Sequence, residues 1–191
     1  MNTIGRAALF IAAVALAAAC ATRPDQPVRT YDFGLASAPG PAQPVIHVRE
    51  IASPEWLDRP EMLYRLAYRD PRALEPYSLS RWAGTPASML TLRLRQTLGS
   101  VEPRNAHCIL AVDLEEFSQV FDTESDSRAV LHARANVRQT SEPRQSESRL
   151  LRLEREAPTP DAAGGAAAFS TLADEMTMQL REWIAGLGYC Q

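Results

Sequence analysis

The sequence predicts an α+β domain, a mostly antiparallel sheet with two helices packed on one face. Three observations predict it. Segments 108–117, 128–139 and 149–155 each alternate apolar and polar residues and are separated by polar turns, the pattern of an antiparallel meander. Two other segments carry apolar residues at helical spacing: Leu90, Leu94 and Leu98 in one, and Phe169, Leu172, Met176, Leu180, Trp183, Ile184 and Leu187 in the other. With 191 residues, 46% of them apolar, the chain is long enough for one core and too apolar to be disordered throughout.

The elements follow in order. Residues 29–35 (RTYDFGL) are strand-like and predict a first edge strand. Pro39, Pro41 and Pro44 make 36–44 a connecting loop, because each fixes φ and removes a donor. Ile46 and Val48 mark a strand over 45–51. Over 62–69, Met62, Tyr64, Leu66 and Tyr68 alternate with Leu63, Arg65, Ala67 and Arg69, which predicts a strand with one charged face. The turn chemistry of Arg69-Asp70-Pro71-Arg72 pairs it with 73–82 as a hairpin. Thr85 followed by Pro86 reads as an N-cap and first helical residue, Gly99 ends that helix, and Arg93 and Arg95 fall off its apolar stripe. In the meander, Leu110, Val112 and Leu114 share one face, as do Leu131, Ala133, Ala135 and Val137. Gly164 and Gly165 weaken the start of the last helix, so 162–187 is expected to become firmly helical near Ala166.

The start of the chain has a different character. Fifteen of the first 19 residues are apolar and Arg6 is their one charge. The run from Ala7 to Ala19 has the length of a signal-peptide core and is too short to span a bilayer comfortably. It ends in Ala17-Ala18-Ala19 before Cys20, which resembles the lipobox of bacterial lipoproteins, although that family prefers Leu where Ala17 stands. The resemblance implies cleavage before Cys20 and acylation of its thiol and new amine. A plain secretory signal, with Cys20 incidental, is the alternative. Ala21 in place of Asp resembles the sorting signal that releases lipoproteins to the outer membrane. The expected division is therefore 1–19 signal peptide, 20–28 lipidated N-terminus and tether, and 29–191 one periplasmic α+β domain.

The net charge is −3 and all 20 basic residues are Arg, interspersed with acids, which argues against nucleic acid as a partner. No catalytic constellation, cofactor motif or metal set is expected. His47, His107 and His132 lie on separate segments; Asp113, Glu115 and Glu116 read as a solvated face; and Ser78, Ser80 and Ser88 lack a nucleophile-elbow context. Cys108 opens a strand after the first helix and Cys190 follows the second, so an oxidising compartment could bond them. Two free thiols, or a weak metal pair with His107, are the alternatives. The Pro-framed loop holding Trp56, Asp58 and Arg59, together with Arg81 and Trp82, has the residue types enriched at protein contacts. Burial of Trp56 or Trp82 in the core is the competing reading.

The stretch 46–98 carries I-x-V, P-x-W-L-D-R-P, Y-R, Y-x-x-x-R-W-A and L-x-x-x-L in that order, after Tyr31-Asp32-Phe33-Gly34-Leu35. This series resembles the ABC-type transport auxiliary lipoproteins, the PqiC/YmbA-like family. The resemblance implies a body similar to the periplasmic α+β domains of the TolB N-terminal type. It also implies a non-enzymatic role beside an MCE-domain protein and an ABC permease and ATPase, moving phospholipid or another hydrophobic cargo between membranes. Localisation would be the outer membrane, lipid-anchored and facing the periplasm, and homo-oligomers are possible because some relatives form rings. A periplasmic lipid-binding module, with cargo between helices and sheet, or another outer-membrane assembly lipoprotein, is the alternative.

Overall fold

The computed structural model describes residues 26–36, 44–143 and 145–190. The leader, Cys20 and most of the Pro-rich loop lie outside the described residues. Seven strands form one sheet: β1 (Arg29–Tyr31), β2 (Ile46–Val48), β3 (Glu61–Leu66), β4 (Glu75–Trp82), β5 (Cys108–Phe121), β6 (Ser127–Gln139) and β7 (Ser146–Glu156). Among the described residues two α-helices, α1 (Pro86–Leu98) and α2 (Ala162–Gly186), pack on it. The fold class is α+β, as the sequence predicts.

The sheet order is β1-β4-β3-β5-β6-β7, with β2 also beside β5. The meander β5–β6–β7 is antiparallel, but β1 with β4, β2 with β5 and β3 with β5 are parallel pairs. The sheet is therefore mixed. The reason is the length of β5. Its first residues pair with β2 and its last with β3, so two short strands lie end to end along one side of a long one. Both run in the β5 direction and the chain must return through α1 before β5 begins.

β5 is longer than the expected 108–117 because a bulge between Leu114 and Glu116 resets its alternation. Leu110, Val112 and Leu114 face the helices before it, and Phe117 and Gln119 do so after it. A strict period of two cannot carry the strand through that extra residue. The outer face of the meander is solvated and laced with ion pairs, including Arg65–Glu116 at 2.9 Å, Arg134–Glu115 at 3.3 Å and Arg128–Glu154 at 2.9 Å. This is where Glu115, Glu116 and His132 sit.

α1 keeps its expected ends. The Thr85 side chain caps the Ser88 N–H, and Gly99 adopts φ 65°, the left-handed conformation a helix end favours in glycine. The helix also closes the free edge of β2. Ile51 N–H donates to Thr91 Oγ1 at 2.9 Å, Val48 N–H to Ser100 Oγ at 2.9 Å, and Arg95 Nε to the Val48 carbonyl at 3.1 Å. Those strand groups would otherwise be exposed pairing sites.

α2 begins at Ala162, four residues before the expected firm start. Asp161 caps it, its side chain accepting from Gly164 N–H at 2.8 Å, and that bond holds the Asp161 carboxyl below the usual carboxylate range. Cap and packing outweigh the cost of two glycines, about 1 kcal/mol each relative to Ala. The glycines are needed where they stand: a side chain at Gly164 would overlap Thr159, and one at Gly165 would overlap the amide of Gln119.

The core lies between sheet and helices. Leu90, Leu94, Leu98, Leu172, Met176, Leu180 and Ile184 are each at most 1% exposed, so both apolar stripes are spent on the core. At its centre, Phe117 stacks on Phe169 at 3.9 Å and Trp82 meets Phe33, Phe117 and Phe169 each at 5.7 Å.

Cys108 and Cys190 are bonded, with Cα atoms 5.4 Å apart and a sequence separation of 82. The bond joins the start of β5 to the short turn after α2. The expected cost of Cys108→Ser with Cys190→Ser is about 2–4 kcal/mol, from the chain entropy of the closed loop. Urea unfolding of the wild type with and without reductant checks it; coincident curves would remove the bond from the stability of the domain.

Candidate interaction surface

The expected contact residues gather where β4 ends and α1 begins, but not all of them point outward. The loop after β2 turns back on itself, with Leu57 N–H donating to the Pro54 carbonyl at 2.9 Å and Asp58 N–H to the same oxygen at 3.1 Å. That turn sends Leu57 into the core, 1% exposed, and leaves Trp56 39% exposed. Asp58 and Arg59 are exposed beside it. The loop is tied to the sheet where Trp82 N–H donates to the Pro60 carbonyl at 2.7 Å. Arg81 is exposed and its Nε lies 3.4 Å from Thr30 Oγ1.

Trp82, expected among the contact residues, does not reach the surface. It is 2% exposed and belongs to the central aromatic cluster. The register explains the reversal: Tyr31 and Trp82 pair across β1 and β4, and Trp82 lies over Phe169 of α2. Burying the indole is worth more than its use on the surface.

The surface also holds apolar residues that the sequence does not mark. Leu92 projects from α1 at 57% exposure and Leu35 is fully exposed. On one side of Leu92 a cavity of about 450 Å³ is lined by Leu35, Met89 and Gln96. On the other, a cavity of about 550 Å³ is lined by Glu50, Asp58 and Arg95. An exposed leucine ridge between two hollows, one apolar and one charged, suits insertion of complementary side chains.

Arg93 holds this surface in shape, and it is the residue sequence reasoning misplaces. It is 3% exposed, although expected off the stripe. Its Nη1 lies 3.1 Å from Asp174 Oδ1 of α2 and 3.2 Å from the Leu35 carbonyl. Its Nη2 donates to the Gly34 carbonyl at 3.0 Å and to that of Phe33. Ser170 of α2 adds a bond to the Phe33 carbonyl at 2.7 Å. A segment with no regular structure is thus clamped between two helices, and Leu35 is held at its tip. The available signal was spacing: Arg93 lies three residues after Leu90, on the same helix face.

Among the described residues, no three His, Cys, Asp or Glu side chains gather as a metal site would require. No described helix is long and apolar enough to cross a membrane.

The model of the family described as "ABC-type transport auxiliary lipoprotein component" matches residues 34–180. The chain belongs to this family. This auxiliary lipoprotein is accordingly a component that accompanies an ABC transport system and is anchored to a membrane; its family is not a known enzyme family. The fold is shared by solved structures, two crystal structures among them. One is the crystal structure of a Xanthomonas campestris protein of the DUF330 family, with TM-score 0.70 and 21% identity over 82% of this chain and 94% of that one. The other is the crystal structure of an uncharacterized protein, with TM-score 0.67 and 13% identity over 83% of this chain and 99% of that one. No curated protein matches this chain.

Proposed function

We propose that this auxiliary lipoprotein is a non-enzymatic docking subunit of an MCE-type system that moves phospholipid between membranes. Cys20 carries the acyl anchor in the outer membrane, and the domain faces the periplasm. The α1 surface, with Asp58 and Arg95 on one side of Leu92 and Leu35 on the other, receives the MCE-domain protein, and the exposed Trp56, Arg59 and Arg81 extend the contact from the neighbouring loop and strand end. The observation that carries the reading is this exposed apolar ridge on a member of a transport-auxiliary family.

The mechanism is tethering without bond chemistry. Several acyl chains hold the protein in the leaflet, each buried CH₂ contributing about 0.8 kcal/mol. The clamped segment at Arg93 presents Leu35 without the entropy cost of ordering it on binding. The alternative of cargo held between helices and sheet meets a filled interface: Leu94, Leu98, Leu172 and Met176 are each at most 1% exposed.

Affinity capture from membranes expressing the co-encoded MCE-domain protein tests the reading. Wild-type lipoprotein retains that protein, and Leu92→Asp lowers retention about tenfold, as loss of a contact hot spot does. Leu92 is exposed, so the variant keeps the wild-type unfolding curve. A folded, acylated wild type that captures no MCE-domain protein would overturn the proposal.

A further inference from the structure

Resting on the reading that Cys20 is acylated, we propose that the edge formed by β1, with the groove beside it, lies against the phospholipid surface of the anchoring leaflet. The groove encloses about 480 Å³ between β1, β4 and the start of α2, and its lining includes Gln26, Pro27, Arg29, Tyr31, Leu79 and Ala163. The chain therefore arrives from its N-terminal side directly at the groove. Gln26 is six residues beyond Cys20. An extended chain advances at most about 3.6 Å per residue, so Gln26 lies within about 22 Å of the acylated cysteine. The polar headgroup layer takes up part of that reach. A domain about 150 residues in size cannot hold this edge far from the bilayer on so short a lead.

The chemistry of the edge fits a lipid–water boundary. Val28 is 50% exposed and Leu79 42% exposed, two apolar side chains each left about half open to solvent. Tyr31 adds a ring with a polar tip, the amphipathic type that settles at headgroup level. Arg29 supplies a cation for lipid phosphate. The carboxylate it faces, Asp161, is engaged by Gly164 N–H at 2.8 Å and by Thr159 Oγ1 at 2.7 Å. The direction of the strand separates this edge from the α1 surface. Arg29 pairs with Ser80 and Tyr31 with Trp82, so β1 runs from the groove toward Leu35 and the start of α1. One end then meets lipid while the other stays open to a protein.

The test uses the full-length lipoprotein, purified with its native N-terminus, in vesicles of phosphatidylethanolamine and phosphatidylglycerol doped with a diazirine-bearing phosphatidylethanolamine. Photo-adducts are mapped by peptide mass spectrometry. Adduct yield on residues 26–31 and 77–80 is expected to exceed that on residues 88–96 of α1 about fivefold or more, and Val28→Asp with Leu79→Asp should remove most of the excess. Equal yields on the two regions, adducts confined to residues 20–25, or an excess that survives the double variant would overturn the inference while leaving the anchor intact. The N-terminal peptide mass is read in the same samples, and a Cys20 without acyl groups would overturn both this inference and the anchoring reading beneath it.

Discussion

Replacing Arg93 by Met is expected to destabilise the domain by about 2–3 kcal/mol, because it removes the charge-assisted hydrogen bonds that tie three backbone carbonyls to α1. The side chain is 3% exposed and serves the carbonyls of Phe33, Gly34 and Leu35 together with Asp174. Of these, only the Phe33 carbonyl has a second donor, from Ser170, among the hydrogen bonds described above. Lys cannot rescue the site fully, since a single ammonium lacks the planar fork that reaches two directions at once. The carboxylate contributes less. Asp174 is 49% exposed, so Asp174→Asn should cost about 1 kcal/mol or less. Urea unfolding of the three variants checks the order Met, then Lys, then Asn. Equal effects for Arg93→Met and Asp174→Asn would show that the ion pair, not the carbonyl clamp, carries the stability. The same variants reach function: loosening Phe33–Leu35 also frees Leu35 from the proposed docking surface.

The second large effect is expected at the start of α2. In an ordinary helix Gly→Ala stabilises by up to about 1 kcal/mol. At Gly164 the sign reverses, because the new methyl meets the backbone and side chain of Thr159, which lead into the Asp161 cap. A backbone obstacle cannot rotate away, so Gly164→Ala should cost about 2–4 kcal/mol, at the upper end of overpacking penalties. Gly165→Ala meets a side chain instead, the amide of Gln119. That amide is buried and bonded to Ser127 at 2.8 Å and to the Tyr77 hydroxyl at 3.0 Å, so moving it breaks both bonds. Burial also pushes the Tyr77 hydroxyl pKa well above its ordinary value, consistent with a group kept from water. Gly186, at the far end of the helix, has nothing within 4 Å of such a methyl, and Gly186→Ala should be neutral or stabilising. Thermal unfolding of the three alanine variants checks the contrast. A stabilising Gly164→Ala would refute the close approach as the reason for the glycine.

The elements that were legible in the sequence are those whose signal is local. Thr85-Pro86 and Gly99 frame α1 because a cap and a left-handed end are decided by a few neighbouring residues. The meander was legible because Leu131, Ala133, Ala135 and Val137 of β6 and Leu151 and Leu153 of β7 recur at every second position on the core face. The glycine pair misled for the opposite reason. Propensity counts its cost within the helix, whereas Thr159 and Gln119, which require it, are brought there by folding. Trp56 and Trp82 show the same limit at the candidate surface. Both are tryptophans beside an arginine or an acid, and composition cannot tell them apart. The turn at Pro54 rotates one outward, and the pairing of β4 with β1 turns the other onto Phe169.

By itself the sequence determined the α+β class, the ends of α1, the succession of strands and helices along the chain and, through the ordered motifs from Tyr31 to Leu98, the family to which the chain belongs. Tertiary structure decided the parallel pairings of β2 and β3 along β5, the burial of Arg93 and Trp82, and the exposure of Leu35 and Leu92 that shapes the proposed docking surface. The division has one physical cause. Helix caps, turns and alternation depend on residues within a turn or two of each other, whereas burial depends on what a distant segment lays over a side chain. Arg93 reads as a solvated charge until Phe33, 60 residues earlier, brings a carbonyl for it to bind.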